Sequence, residues 1–420
     1  MALNDINFIK GNGGIGRQAA SEDPISGLIM SLSNLITTGL TAGGFDTAGS
    51  WENAIFVAKL KYPEQLSADY GIIEQEIDSN DEEGEIADKM ARNAIVYHVY
   101  EFFRMSPTGT LFLGLTTTDV SGTNIRALQY YAAGTIRQIG ILTPTTTGIT
   151  TAILADYQQA CTGTTGATGL EQEHQPLSLI ITWNGGISGT TLASLSGNGH
   201  SQAGRQNLSL LIGCDLDPAL YAKIGALNQY GCIGNVLGAI SKAAVNECIG
   251  WVAKFPVGLV MPGFITGDLL KDVTTLQLNQ LNDARYIFVL THVGDAGNYY
   301  NDSFTLDVAT SDYAFIENVR TMDKATRGIR TYLLPELNSP IYVDPVTGKM
   351  RADVVASIEN IAGKALEDME KAGELSGWIV EIDPDQNVLA TSTVEIQIKQ
   401  VPVGVMRKVN VKISYTTKLN

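Results

Sequence analysis

Residues 377–415 read GWIVEIDPDQNVLATSTVEIQIKQVPVGVMRKVNVKISY, and the fold turns on this stretch. An apolar strand, Gly377–Asp383, leads into the turn Asp383-Pro384-Asp385-Gln386-Asn387. Two long alternating runs follow, Thr393–Val401 and Val405–Tyr415, and both read as strands. The last one meets no cap and no helix before the sequence stops. From Ile396 onward there is no Asp or Glu, yet Lys399, Arg407, Lys408, Lys412 and Lys418 are present, while the chain carries a formal net charge of -16. A basic alternating strand on an acidic body suits the edge of another subunit, which points to an assembling protein rather than an enzyme.

Two helices precede this stretch. Ala352–Ala372 has a core stripe of Val355, Ile358, Ala362, Ala365, Leu366 and Met369, and Gly373 is placed to stop it. Asp312–Leu334 presents Tyr313, Ile316, Val319, Met322, Ala325, Thr326, Ile329 and Leu333 on one face. Arg320, Lys324, Arg327 and Arg330 lie on or near the other side, and Pro335 ends the helix. That basic row suits a phosphate site or an acidic surface, in an assembly or in its own fold. The acidity of the body favours the surface.

Further upstream, strands alternate with helices. Ile136–Leu142, Leu177–Trp183, Leu208–Asp215 and Tyr286–His292 read as strands, and so do residues 50–60 and 110–116. Ala152–Cys161 and Ile233–Val252 read as helices, the second with Gly238, Ala239, Ala243 and Ala244 for close packing. Between residues 60 and 110, an acidic run from Glu74 to Asp88 opens a helix carrying Ile86, Met90, Ala94, Tyr97 and Phe103. This order predicts an α/β (α+β) fold with a largely parallel or mixed sheet and helices packed on it. Pro24–Phe45 is uncharged but broken by Ser, Thr, Asn and Gly, so a folded segment is expected there rather than a membrane span. Met1–Lys10 holds Asp5 and no apolar core, which argues against a signal peptide. Leu3, Ile6 and Phe8 lie on a short extended run tethered by the glycine-rich Gly11–Gly16. Such a strand must pair elsewhere. The expected division is an N-terminal arm at 1–25, a middle α/β region at 26–293, a C-terminal domain at 294–404 and a C-terminal arm at 405–420.

Signals for chemistry are weak. Charged residues are 17% of the chain against about a quarter in ordinary soluble domains, which fits a surface covered by neighbours or one rich in Ser, Thr and Gly. The acidic balance argues against nucleic acid. Gly11–Gly16 matches G-x-G-x-x-G, but the strand before it is marginal, no helix opens after it and no acidic ribose partner follows. Cys161, Cys214, Cys232 and Cys248 form no CxxC pair, and a reducing cytoplasm suits them. His98, His174, His200 and His292 are scattered, without metal-ligand spacing. His98 reads as a packed residue. His200, near Ser201 and Arg205, sits in a Gly/Ser loop with no evident rigid partner for catalysis. No carboxylate pair stands out in an apolar setting. No cofactor, metal or catalytic residue is expected. The alternatives are an α/β enzyme with a site in the loops around His200, or another structural protein of a larger particle.

The C-terminal 130 or so residues carry an ordered set of motifs. Gly-Asp-Ala-Gly-Asn-Tyr-Tyr-Asn-Asp-Ser-Phe-Thr at 294–305 is followed by Asp312-Tyr313, Asn318-Val319-Arg320 and Lys324-Ala325-Thr326-Arg327. Then come Leu334-Pro335-Glu336-Leu337, the turn at Asp344–Lys349, Glu374-Leu375-Ser376-Gly377, Asp383–Leu389 and Val401-Pro402-Val403-Gly404. This order resembles the contractile tail sheath proteins of myophages and phage-tail-like injection systems, nearest the Bacteroidetes-prophage branch once catalogued as a domain of unknown function. Val245–Trp251 and the Gly-x-x-Gly-Arg ahead of Asp23 fit the same family.

The resemblance implies a structural subunit polymerised as stacked hexameric rings around an inner tube, with baseplate and tail terminator proteins as further partners. It implies β-strand addition between subunits, through Leu3, Ile6 and Phe8 at one end and Val405, Val409, Val411, Ile413 and Tyr415 at the other. Hinges are expected at Gly11–Gly16 and around Pro402-Val403-Gly404. Arg407, Lys408, Lys412, Arg320, Lys324 and Arg327 are the expected charge contacts. The middle region would face outward. The subunit would reside in a virion tail or tail-like particle, assembled in the bacterial cytoplasm, without membrane insertion.

Overall fold

The computed structural model of the chain describes residues 22–49, 54–143, 148–185 and 190–416. Its central strand is Ile25–Ser31, which pairs in parallel with Thr110–Thr116 on one side and Gln138–Thr143 on the other. Beyond Gln138–Thr143 come Ser178–Trp183, Leu208–Leu211 and Tyr286–Ile287, all parallel. Beyond Thr110–Thr116, Ile55–Leu60 and Asp46–Ala48 run antiparallel. The sheet is therefore mixed and eight-stranded. Every residue of Gln138–Thr143 and Ser178–Trp183 is buried, as expected of parallel strands covered on both faces. Covered strands lose their alternation. That is why the central strand, Ile25–Ser31, reads in sequence only as part of the uncharged run after Pro24.

Side chains alternate between two cores. Leu28, Met30, Leu142, Ile180 and Leu211 enter one; Ile29, Ile139, Ile141, Leu179, Ile181 and Leu210 enter the other. The helices Glu83–Met105 and Ile233–Lys242 cover the first face. They cross closely because the second helix presents glycines: a Cβ on Gly234 would lie 2.0 Å from the His98 carbonyl oxygen, and one on Gly238 2.5 Å from that of Phe102. Glu83 and Glu85 stand in the first turn of the long helix, where carboxylates suit the positive end of the dipole. Gly122–Tyr131 and Thr151–Thr162 cover the second face with Ile125, Leu128, Leu154 and Tyr157.

Several expected elements are shorter than their apolar runs. The helix from Ile233 stops at Lys242, where Ala243 turns extended. Its end is held by Arg320, which donates to the carbonyls of Ala243 (3.2 Å) and Ala244 (3.3 Å). The Leu208–Asp215 run divides at Ile212, where the chain leaves the large sheet and Gly213–Asp215 pairs with Pro262–Phe264. The Tyr286–His292 run divides at Phe288, and Val289–Thr291 pairs with Asn298–Tyr300. That hairpin spans the expected boundary at 293 and 294.

The C-terminal layer has its own small core. Helices Ile316–Leu333 and Ala352–Lys371 pack with the hairpin Leu375–Glu381 and Gln397–Pro402 around Ala325, Leu366, Met369 and Leu375. Gly373, at φ +77°, ends the second helix and turns the chain into the hairpin. The first helix starts at Ile316 rather than Asp312, and the final hairpin strand starts at Gln397 rather than Thr393. Among the described residues, no helix is long and apolar enough to cross a membrane.

Candidate assembly surfaces

The terminal hairpin is finished on one face only. Trp378 lies over Gly363, where a Cβ would come within 2.6 Å of the ring, and its Nε1 donates to Glu370 Oε2 at 2.9 Å. Val380 and Ile398 pack beside it against the small core. Ile379 and Val401, by contrast, are exposed. Among the described residues no third strand joins this pair. Two-stranded hairpins are marginal by themselves, so this one depends on its helix and leaves its remaining backbone groups for another strand.

The segment after Pro402 is not a strand within the subunit. Residues 403–416 join no ladder, and the Arg407 amide donates to the Val405 carbonyl at 3.1 Å; the expected pairing of Val405–Tyr415 is with a neighbouring subunit. Val405 is half-buried, but Val409, Val411, Ile413 and Tyr415 are exposed, Ile413 to 88%. A row of apolar side chains at every second position, open to water, is the pattern of a strand without its sheet. Lys408 and Lys412 are exposed on the other parity. Leu3, Ile6 and Phe8, with the Gly11–Gly16 tether, lie outside the described residues.

Arg407 shares the parity of Val405 and Val409 but turns back onto its own subunit. Its Nε donates to both Asp302 oxygens at 2.9 and 3.0 Å, and its Nη2 donates to Glu317 Oε1. The guanidinium carbon stands 3.5 Å from the Phe315 ring centre. Burial pushes the Glu317 carboxyl up, and Arg407 opposes that shift.

The basic row on Ile316–Leu333 is used internally as well. Arg320, four residues after Ile316, shares its buried face and is itself buried, not on the solvent side. Lys324 joins Asp23 (2.7 Å) to Glu374 (2.6 Å), and Arg327 reaches the other Asp23 oxygen at 3.5 Å. Of the three positions expected as charge contacts, Lys324 and Arg327 thus fasten the terminal layer to the root of the N-terminal segment, and Arg320 fastens it to the end of the helix from Ile233. Beside them, Asp323 faces a cleft of about 310 Å³ with Glu22, Arg137, Glu171 and His174 in its walls. Burial raises its carboxyl to about 7, with Arg327 pulling the other way. This is a carboxylate in a desolvated setting that sequence spacing did not disclose.

His200 is buried, not carried on a loose loop. Its Nδ1 is 2.8 Å from the Tyr286 hydroxyl and its Nε2 3.0 Å from the Ile149 carbonyl. The Tyr286 hydroxyl donates onward to the Leu195 carbonyl, and Arg205 donates to the His200 carbonyl. Rigid partners do exist, contrary to expectation, but they lock the ring into the core. His98 is buried too, and burial drives its pKa down to about 3, so it is neutral. All four cysteines are buried free thiols. Among the described residues, no group of three or more His, Cys, Asp or Glu could hold a metal ion.

The structure thus joins a closed α/β body to a two-stranded hairpin and, among the described residues, to a terminal apolar segment that pairs with no strand. Residues 207–304 match the N-terminal domain of the DUF2586 family, and residues 312–420 match its C-terminal domain. A tail sheath protein of Haemophilus phage HP1 (strain HP1c1) is 29% identical over 155 residues, 34% of this chain and 39% of that relative. The match therefore spans well under half of the relative's length. Among solved structures, a chain of the anti-feeding prophage baseplate superposes with a TM-score of 0.58 at 14% identity, covering 99% of this chain and 100% of that one. A chain of the PVC sheath complex, from an extracellular contractile injection system in the contracted state, gives 0.60 at 10% identity, with 99% of each chain covered. The fold is that of contractile-system sheath components.

Proposed function

We propose that this chain is the structural subunit of a contractile sheath. It polymerises as stacked sixfold rings around an inner tube and shortens to drive that tube through a target envelope. Baseplate and terminator proteins bound the assembly, which forms in the bacterial cytoplasm and resides in a virion tail or tail-like particle. The subunit itself performs no catalysis and needs no cofactor. The observation that carries this reading is the pairing deficit at the C-terminus: a two-stranded hairpin followed by a segment in no ladder, with Val409, Val411, Ile413 and Tyr415 in water. Strand addition between subunits would satisfy both, with backbone hydrogen bonds supplying affinity and alternate side chains fixing register. Residues 1–25 would supply a second donor strand, and residues 26–293 would face outward from a C-terminal domain lying on the tube.

Negative-stain electron microscopy of the purified full chain tests the proposal, alone and with its tube protein. Striated hollow cylinders are expected from the intact chain, and soluble folded subunits without cylinders after removal of residues 1–10 or 405–420. Normal cylinders from either truncation would overturn strand exchange. Replacing Lys408 and Lys412 together by Glu should weaken assembly most at low salt, where screening is least.

A further inference from the structure

The contacts of Arg407 form a built site rather than a chance ion pair. Asp302 follows the strand Asn298–Tyr300, and Glu317 lies in the first turn of the helix Ile316–Leu333. Two separate elements therefore aim carboxylates at one point, with side chains only 11% and 2% exposed. Asp302 is oriented by the backbone N–H of Ser303 at 2.8 Å, and the Ser303 hydroxyl donates to the second Glu317 oxygen. Phe315 supplies a flat face for the guanidinium. Fork-shaped donors, two fixed acceptors and an aromatic platform are complementary to arginine and not to lysine. Arg285 stacks on the same ring at a greater distance, 5.6 Å, but spends its own donors on the carbonyls of Thr305 and Ala314.

We propose that Asp302, Ser303, Phe315 and Glu317 form a socket that clamps Arg407 of the same subunit in the free and the assembled state, so that only 408–416 is released to a neighbour. Resting on the sheath reading, this moves the pivot of the arm from Pro402–Gly404 to the Arg407–Lys408 bond. Emptying the socket would take from two buried carboxylates the one cation hydrogen-bonded to both, a loss that a protein interior tolerates poorly. The base of the arm therefore stays with its own body, and each subunit aims its donor strand from a fixed point.

Limited trypsin digestion of the folded full chain, read by mass spectrometry, tests the clamp without requiring assembly. A docked Arg407 cannot enter the protease. Cleavage after Lys412 is expected at least tenfold faster than after Arg407, and the two should become equal in the Asp302→Asn, Glu317→Gln double variant. Equal rates in the wild-type chain would overturn the clamp, and that arm needs no variant to fold. Cylinder formation then decides between the same subunit and a neighbour. Arg407→Gln and the double variant should each assemble poorly, and an equal mixture should do no better. Rescue in the mixture would mean that Arg407 docks into a neighbouring copy, and normal cylinders from Arg407→Gln would mean that the clamp does not aim the arm. Should the wild-type chain form no cylinders with its tube protein, the sheath reading fails while the digestion pattern still decides the clamp.

Discussion

Asp323 shows how one side chain can set a pH dependence. It ionises near the aspartate value of 3.8 when unfolded but only near 7 when folded, because burial opposes the charge. Between those values the folded chain holds a proton that the unfolded chain has released. Its contribution to stability therefore falls as pH rises through this window, and the penalty is complete above about 7. Asp323→Asn is expected to raise the melting temperature at about pH 8 and to leave it nearly unchanged at about pH 4. An equal shift at both values would mean that the carboxyl's charge is not the cause. Neither the half-buried Asp323 nor the buried Arg320 was legible as a group withdrawn from solvent. Polar residues on a helix default to the solvent side, and only the four-residue step from Ile316 to Arg320 hinted at the buried face. Lys324 was legible as a charge contact, but its partners, Asp23 and Glu374, lie far away in sequence and could not be inferred from spacing.

Among elements, those with strong periodicity were legible to within a few residues: Thr110–Thr116, Ser178–Trp183 and Ala352–Lys371 fall close to their apolar patterns. Failures occur where tertiary pairing cuts an apolar run, at Ile212, Phe288 and Ala243. No local signal marks a strand that changes partners. The small residues of the helix from Ile233 correctly announced close packing. The crossing itself can be tested with Gly234→Ala, whose methyl group would meet the His98 carbonyl at 2.0 Å. A loss of at least about 2 kcal/mol is expected from such overpacking, measured as a lower urea midpoint with folded secondary structure retained. A neutral result would mean that the two helices separate without penalty.

The whole molecule couples a body with two large cores to a terminal layer whose core has four buried members. Their stabilities should differ accordingly. Leu366→Ala removes the fully buried centre of the small core and should cost about 2–5 kcal/mol. Hydrogen exchange would reveal where: faster at Leu375–Glu381 and Gln397–Pro402, unchanged in Ser178–Trp183. Equal acceleration in both would show that layer and body unfold as one unit. The alternation of strand and helix in the sequence disclosed the layered body, and most of the terminal motifs lie in the stretch that matches the DUF2586 C-terminal domain. How the layer is fastened to the body was not legible, because it rests on long-range ion pairs.

That fastening bears on how force crosses the molecule. Lys324 grips Asp23, where the chain enters the body from its N-terminal residues, and Glu374, one residue before the final hairpin begins. A tug on the C-terminal arm therefore reaches the helix Ile316–Leu333 through Glu317, and one on the N-terminal residues reaches the same helix through Asp23 and Lys324. Tension entering at one terminus can leave at the other without travelling through the eight-stranded sheet, and the bulk of the subunit can ride along as an undeformed passenger.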